Sequence, residues 1–155
     1  MTRAPERLLT LLSELESGKP RIVQLKRRGD ADAWSMRSRD GTTWLAQWRA
    51  EPARLLLSSV LGRPADASQQ MLLEAALSYN ALMRENGAIR LAMREGSSEL
   101  VLVRDLYVDG LTLAQLGPAL SDFASSVRMW SVFVANQPAA ANDAADPADA
   151  LQQLA

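Results

Sequence analysis

The chain has 155 residues, 48% of them apolar and 23% charged, with a formal net charge of −1. That length suits one domain with a sizeable core. The lack of cysteine excludes disulfides, thiolate metal sites and thiol nucleophiles, and the lack of histidine removes the commonest general base and zinc ligand.

No apolar run approaches the roughly 18 residues of a membrane span. The start, MTRAPERLL, lacks the apolar centre of a secretory signal. A cytoplasmic protein without membrane insertion is expected. Charge is unevenly spread. Lys19, Arg21, Lys26, Arg27, Arg28, Arg37 and Arg39 face only Asp30 and Asp32 in that stretch, and Asp143, Asp146 and Asp149 lie at the end.

In chain order, Pro5–Glu16 reads as a helix. Proline suits a first turn, Leu8, Leu11, Leu12 and Leu15 make one stripe, and Gly18 ends it. Leu9 sits off that stripe and hints at a second apolar contact. Arg21–Arg28 alternates weakly and reads as a strand. Ala33–Arg39 and Thr42–Ala50 flank Asp40-Gly41, a two-residue hairpin signal. With those two residues as the loop, Arg37 lies opposite Trp44 and Met36 opposite Leu45. Trp34, Met36 and Leu45 then face the core. Arg37, Arg39, Trp44, Ala46 and Trp48 share the other face, where guanidinium groups can stack on indoles. The competing reading, that Trp44 and Trp48 are core, has about equal weight because Trp is so often buried.

Ala53–Gly62 is ambiguous between strand and helix, and its valine and serines favour a strand. Gln69–Glu85 reads as a helix opened by Asp66 with Gln69 and stopped by Asn86-Gly87. A hairpin follows, with strands Ala88–Arg94 and Glu99–Val108 and a turn at Glu95–Ser98. Leu100–Val103 is apolar on both faces, so each face needs a cover, and a second copy of the chain is the expected cover for one. Thr112 with Gln115 opens a last helix to about Val134, which Pro118 should kink or delay. Residues 1–137 thus form one α+β domain, and the Ala-, Asp- and Pro-rich residues 138–155 read as a disordered tail.

No nucleophile elbow, P-loop or dinucleotide fingerprint is present. Asp30 and Asp32 lack the further oxygen ligands that calcium needs. Lys19–Arg39 with Trp34 could follow a phosphate backbone, but near-zero net charge and absent RNA signatures favour a solvated face. No cofactor, metal or catalytic residue is expected.

The order and spacing of the second half are more specific. Asn80 near a helix end, Gly87, the strand Leu100–Val103, Asp109-Gly110-Leu111 and Trp130 late in the last helix stand in a pattern over about 65 residues. This stretch resembles the C-terminal half of class I type III secretion chaperones of the Tir-chaperone type. The resemblance implies an α+β fold of helix, three strands, helix, β-hairpin and helix, with an antiparallel sheet covered by helices, working as a homodimer. The residues here offer four first-half strands, near Ile22, Trp34, Trp44 and Leu57. The resemblance also implies a non-catalytic protein that binds the N-terminal segment of a secreted effector and keeps it export-competent. Shallow apolar patches and free strand edges suit that task. Effector contact is expected at Leu9, Trp44, Trp48, Leu55 and Leu57, rimmed by Arg37 and Arg39. Dimer contact is expected at Leu73, Leu77, Asn80, Leu100 and Leu102. Secretion-apparatus components are a further expected partner. The alternatives are a regulatory binding protein of the same fold and, less favoured, a nucleic-acid module using Lys19–Arg39.

Overall fold

A computed structural model describes residues 3–18, 22–29, 31–83 and 89–136. Helix α1 spans Glu6–Ser17, starts at Pro5 and buries Leu8, Leu11 and Leu12. Four strands follow: β1 Ile22–Arg27, β2 Ala33–Ser38, β3 Thr43–Ala50 and β4 Ala53–Gly62. Helix α2 covers Gln69–Leu82, then come β5 Ile89–Met93, β6 Leu100–Tyr107 and helix α3 Leu113–Ala135. The strands form one antiparallel sheet in the order β1-β2-β3-β4-β6-β5. The first half therefore holds the four strands read from its residues, one more than the resemblance implied. Ala53–Gly62 is a strand, and β4 sits inside the sheet between β3 and β6.

Alternation sorts the sheet into two faces. The inner one presents Trp34, Met36, Trp44, Ala46, Leu55, Leu57, Leu100, Leu102 and Leu106. These join Leu8 and Leu12 of α1, Leu72 and Ala76 of α2, and Leu116, Leu120, Phe123, Val127 and Trp130 of α3 in one buried core. All three helices contribute to this side. Phe123 meets Trp44 edge-on at 6.3 Å, and Tyr79 meets Trp130 at 5.2 Å. Arg104 also points inward and donates to the Ala119 carbonyl at 2.9 Å. Burial pushes that guanidinium below its usual pKa, opposed by the Asp122 charge.

The β2–β3 hairpin differs from its expected register. Met36 pairs with Trp44 and Arg37 with Thr43. The loop is one residue longer than a two-residue turn. Ser38 N–H donates to the Thr42 carbonyl, Gly41 N–H donates to the Ser38 carbonyl, and Gly41 has φ +89°. This is the three-residue pattern in which only the last loop residue needs a left-handed backbone. Asp40 closes it by accepting from the Ser38 hydroxyl and from Thr42 N–H at 3.0 Å. Those bonds, the Ser38 hydroxyl first, lower its carboxyl pKa to about 2. The single-residue shift moves Trp44 into the core and turns Leu45 outward.

Other boundaries also follow local chemistry. Thr112 and Gln115 form the expected capping box. Pro118 lies within α3 and does not delay its start, because the helix already begins at Leu113. Asp66 is not the cap of α2. It belongs to a 3-10 turn, Asp66–Ser68, that leads into the helix. Between Val60 and Gly62 the β4–β6 register slips, and Gly62 takes φ +115°, which L side chains rarely adopt. The expected stop at Asn86-Gly87 and the tail 138–155 lie outside the described residues.

The two borders of the sheet differ. On β5, the Asn80 side chain donates to the Leu91 carbonyl at 2.9 Å and accepts from the Leu91 N–H at 2.7 Å. One carboxamide thus copies the backbone of a further strand. Among the described residues, no strand pairs with the far side of β1.

Asn80→Ala should cost about 1–3 kcal/mol, because it strips two bonds from partly buried groups. Urea unfolding checks the cost, and hydrogen exchange at the Leu91 amide should quicken. Trp44→Ala should cost about 3–5 kcal/mol as a large-to-small core change, and Trp48→Ala should cost less by the same measurement.

Candidate protein-binding surface

The outer face of the sheet carries no helix of its own among the described residues, and it divides into two chemical halves. Cross-strand pairing places Gln24, Lys26, Ser35, Arg37, Thr43 and Leu45 together on β1–β3. They line, with Arg28, a shallow trough of about 380 Å³. Pairing also places Leu56, Ser58, Val60, Val101, Val103 and Ala92 together on β4, β6 and β5. Val60 is 49% exposed, and Leu56, Val101 and Val103 are half-buried. Asp105 anchors the far end of this half. It accepts from Arg54 at 2.8 Å and Arg90 at 2.7 Å. Its carboxylate is thereby matched by two cations, which separates the apolar strip from exposed Tyr107.

The residues expected to bind an effector divide accordingly. Trp44, Leu55 and Leu57 are sealed in the core, with Leu55 and Leu57 at 0% exposure. They are corrected from surface to interior, and the hairpin shift explains the indole. Leu9 and Trp48 are partly buried against the core, as are Leu15 and Leu25. Arg37 and Arg39 are exposed, Arg37 in the trough and Arg39 in the hairpin loop.

The residues expected at a dimer contact also separate. Leu100 and Leu102 are core residues, at 1% and 0% exposure, and are corrected to the interior. Their neighbours Val101 and Val103 carry the outward face of that strand. Asn80 is half-buried, with its amide engaged with Leu91 of its own chain. Leu73 is partly buried, and Leu77 is 69% exposed on α2. Sequence reasoning assigned the Leu100–Val103 strand to a dimer contact but singled out its leucines, and it missed Leu56 and Val60. Alternation on β6 contained the signal, because an apolar residue next to a core residue on a strand must face the other way.

The nucleic-acid reading loses its stacking platform, because Trp34 is 3% exposed. Asp32 has a structural task, accepting from Ala4 N–H at 2.7 Å and Arg27 at 2.9 Å. Among the described residues no three His, Cys, Asp or Glu side chains gather as a metal site, and no helix is long and apolar enough to cross a membrane.

Comparison with known proteins follows this geometry. No curated protein gives a match. Among solved structures, a chain of the HopA1–SchA chaperone–effector complex is similar at a TM-score of 0.61 and 21% identity, over 81% of this chain and 93% of that one. A chain of the ExsC–ExsE complex is similar at a TM-score of 0.63 and 18% identity, over 86% of this chain and 97% of that one. At such identities these likenesses establish the fold. The profile of the Tir chaperone protein (CesT) family matches residues 40–131, more than half of the chain and the stretch from the β2–β3 hairpin into α3. The chain belongs to the Tir chaperone protein (CesT) family.

Proposed function

We propose that this protein is a type III secretion chaperone that binds the N-terminal segment of a secreted effector in the bacterial cytoplasm and keeps it export-competent without catalysis. Family membership supports this reading, as does the description of one similar solved structure as a chaperone–effector complex. The observation that carries it is the unequal pair of sheet borders. Asn80 occupies the middle of the β5 border at Leu91, whereas among the described residues no strand pairs with the far side of β1, which suits an extended peptide. Strand addition draws affinity from main-chain hydrogen bonds and specificity from alternate side-chain pockets. The inner side of that border has apolar flanks in Leu25 of β1 and Leu15 of α1, both only partly buried.

Two copies meet in this reading through the apolar half of the outer face. Leu56, Val60, Val101 and Val103 form a strip on central strands, where charged residues are displaced to the Arg54–Asp105–Arg90 cluster. Covering such a strip with the same strip of a second copy gives a two-fold contact. Secretion-apparatus components are further partners of the loaded pair.

Any secreted protein encoded beside this chain is the first partner to test. Co-expression should yield a complex holding its N-terminal segment, and hydrogen exchange should slow at β1 amides. Failure of that segment to bind, or protection that spares β1, would overturn the β1 site. Light scattering of the free protein should give twice the 16.9 kDa chain mass. Val101→Glu with Val103→Glu should reduce it to a single chain mass with the circular dichroism unchanged.

A further inference from the structure

The trough beside β1 has a charge that no carboxylate among the described residues pairs with. Lys26, Arg28 and Arg37 line it together with Gln24, Ser35, Thr43 and Leu45, and no carboxylate is among the lining residues. The ion pairs among the described residues join Arg27 to Asp32, Arg54 and Arg90 to Asp105, Arg63 to Asp66, Arg94 to Glu99 and Arg128 to Asp40. Lys26, Arg28 and Arg37 are in none of them. Alternation accounts for the separation. Arg27 lies between Lys26 and Arg28 in the chain and turns to the other side, where Asp32 engages it. The two flanking cations stay on the open face, with Arg37 held across the β1–β2 ladder opposite Gln24.

We infer that this trough selects an effector segment with acidic residues at alternate positions and apolar residues between them. The inference rests on the strand-addition reading above. A strand laid on the border of β1 rises about 3.3 Å per residue and sends every second side chain to the outer face. Outward positions i and i+2 then lie at the spacing of Lys26 and Arg28 and meet them as cross-strand neighbours. The intervening position points inward beside Arg27, whose charge Asp32 already meets, and the next inward position reaches Leu25. Acids satisfy the first set and apolar side chains the second. A basic outward set would be repelled. Neighbouring cations raise the local potential within a Debye length of about 8 Å at physiological salt, so the selection weakens as salt rises.

The test uses the full chain and three labelled decapeptides in which valine alternates with glutamate, glutamine or lysine, read by fluorescence anisotropy at low and high salt. The glutamate peptide should bind at least tenfold more tightly than the glutamine peptide at low salt, and the advantage should shrink at high salt. Lys26→Glu with Arg37→Glu should erase it, with circular dichroism unchanged. Equal binding of the glutamate and glutamine peptides, unaffected by charge reversal, would overturn the acidic selection and leave strand addition standing. Failure of all three peptides to bind would overturn both. A ten-nucleotide thymidine strand that binds as tightly as the glutamate peptide would reassign the trough to phosphate. Asp143→Asn with Asp146→Asn and Asp149→Asn should leave peptide affinity unchanged. A tenfold gain there would mean that the chain's own acidic end occupies the trough, which would overturn the proposal.

Discussion

The constraint beneath this structure is the two-residue period of an antiparallel sheet covered on one side. Once three helices take the inner face, every second strand residue belongs to the core and its neighbours are left to solvent or to partners. Leu55, Leu57, Leu100 and Leu102 are interior for the same reason that Leu56, Val101 and Val103 are available. The division extends to charge. Arg27 meets Asp32 on the inner side, and Lys26 and Arg28 stay outside. Core and binding surface are two readings of one alternating string, so a one-residue change in register exchanges them.

That dependence explains how much was legible in the sequence. The helices announced themselves through leucine spacing and end signals, such as the Thr112–Gln115 box. The strands were legible as segments, including β4 with its competing helical reading. The outward positions were not, because they depend on how the Asp40 loop closes. The Asp-Gly pair marked a turn correctly but did not give its length. The third residue followed from side-chain bonds of Asp40 to Ser38 and Thr42. With that residue counted, Trp44 falls on the inner face beside Phe123.

The surface was less legible than the fold for a second physical reason. Apolar residues at a protein contact and in a core have the same composition, and only burial tells them apart. Leu100 and Leu102 stood out because they are leucines, yet the valines between them carry the exposed face. Arg37 was placed correctly on an open surface. Its neighbours Lys26 and Arg28 were visible only as part of a basic run, since grouping them required the β1–β2 register. Asn80 marked its place in the family pattern, but its bond to β5 spans 11 residues and needs the intervening fold.

The Asn80 carboxamide also sets a limit on growth. A sheet with two bare borders can stack head to tail and extend into a fibre. Here the middle of one border, at Leu91, is taken by a side chain and is not free to continue the ladder. Edge-to-edge pairing of copies is thereby directed to the β1 side.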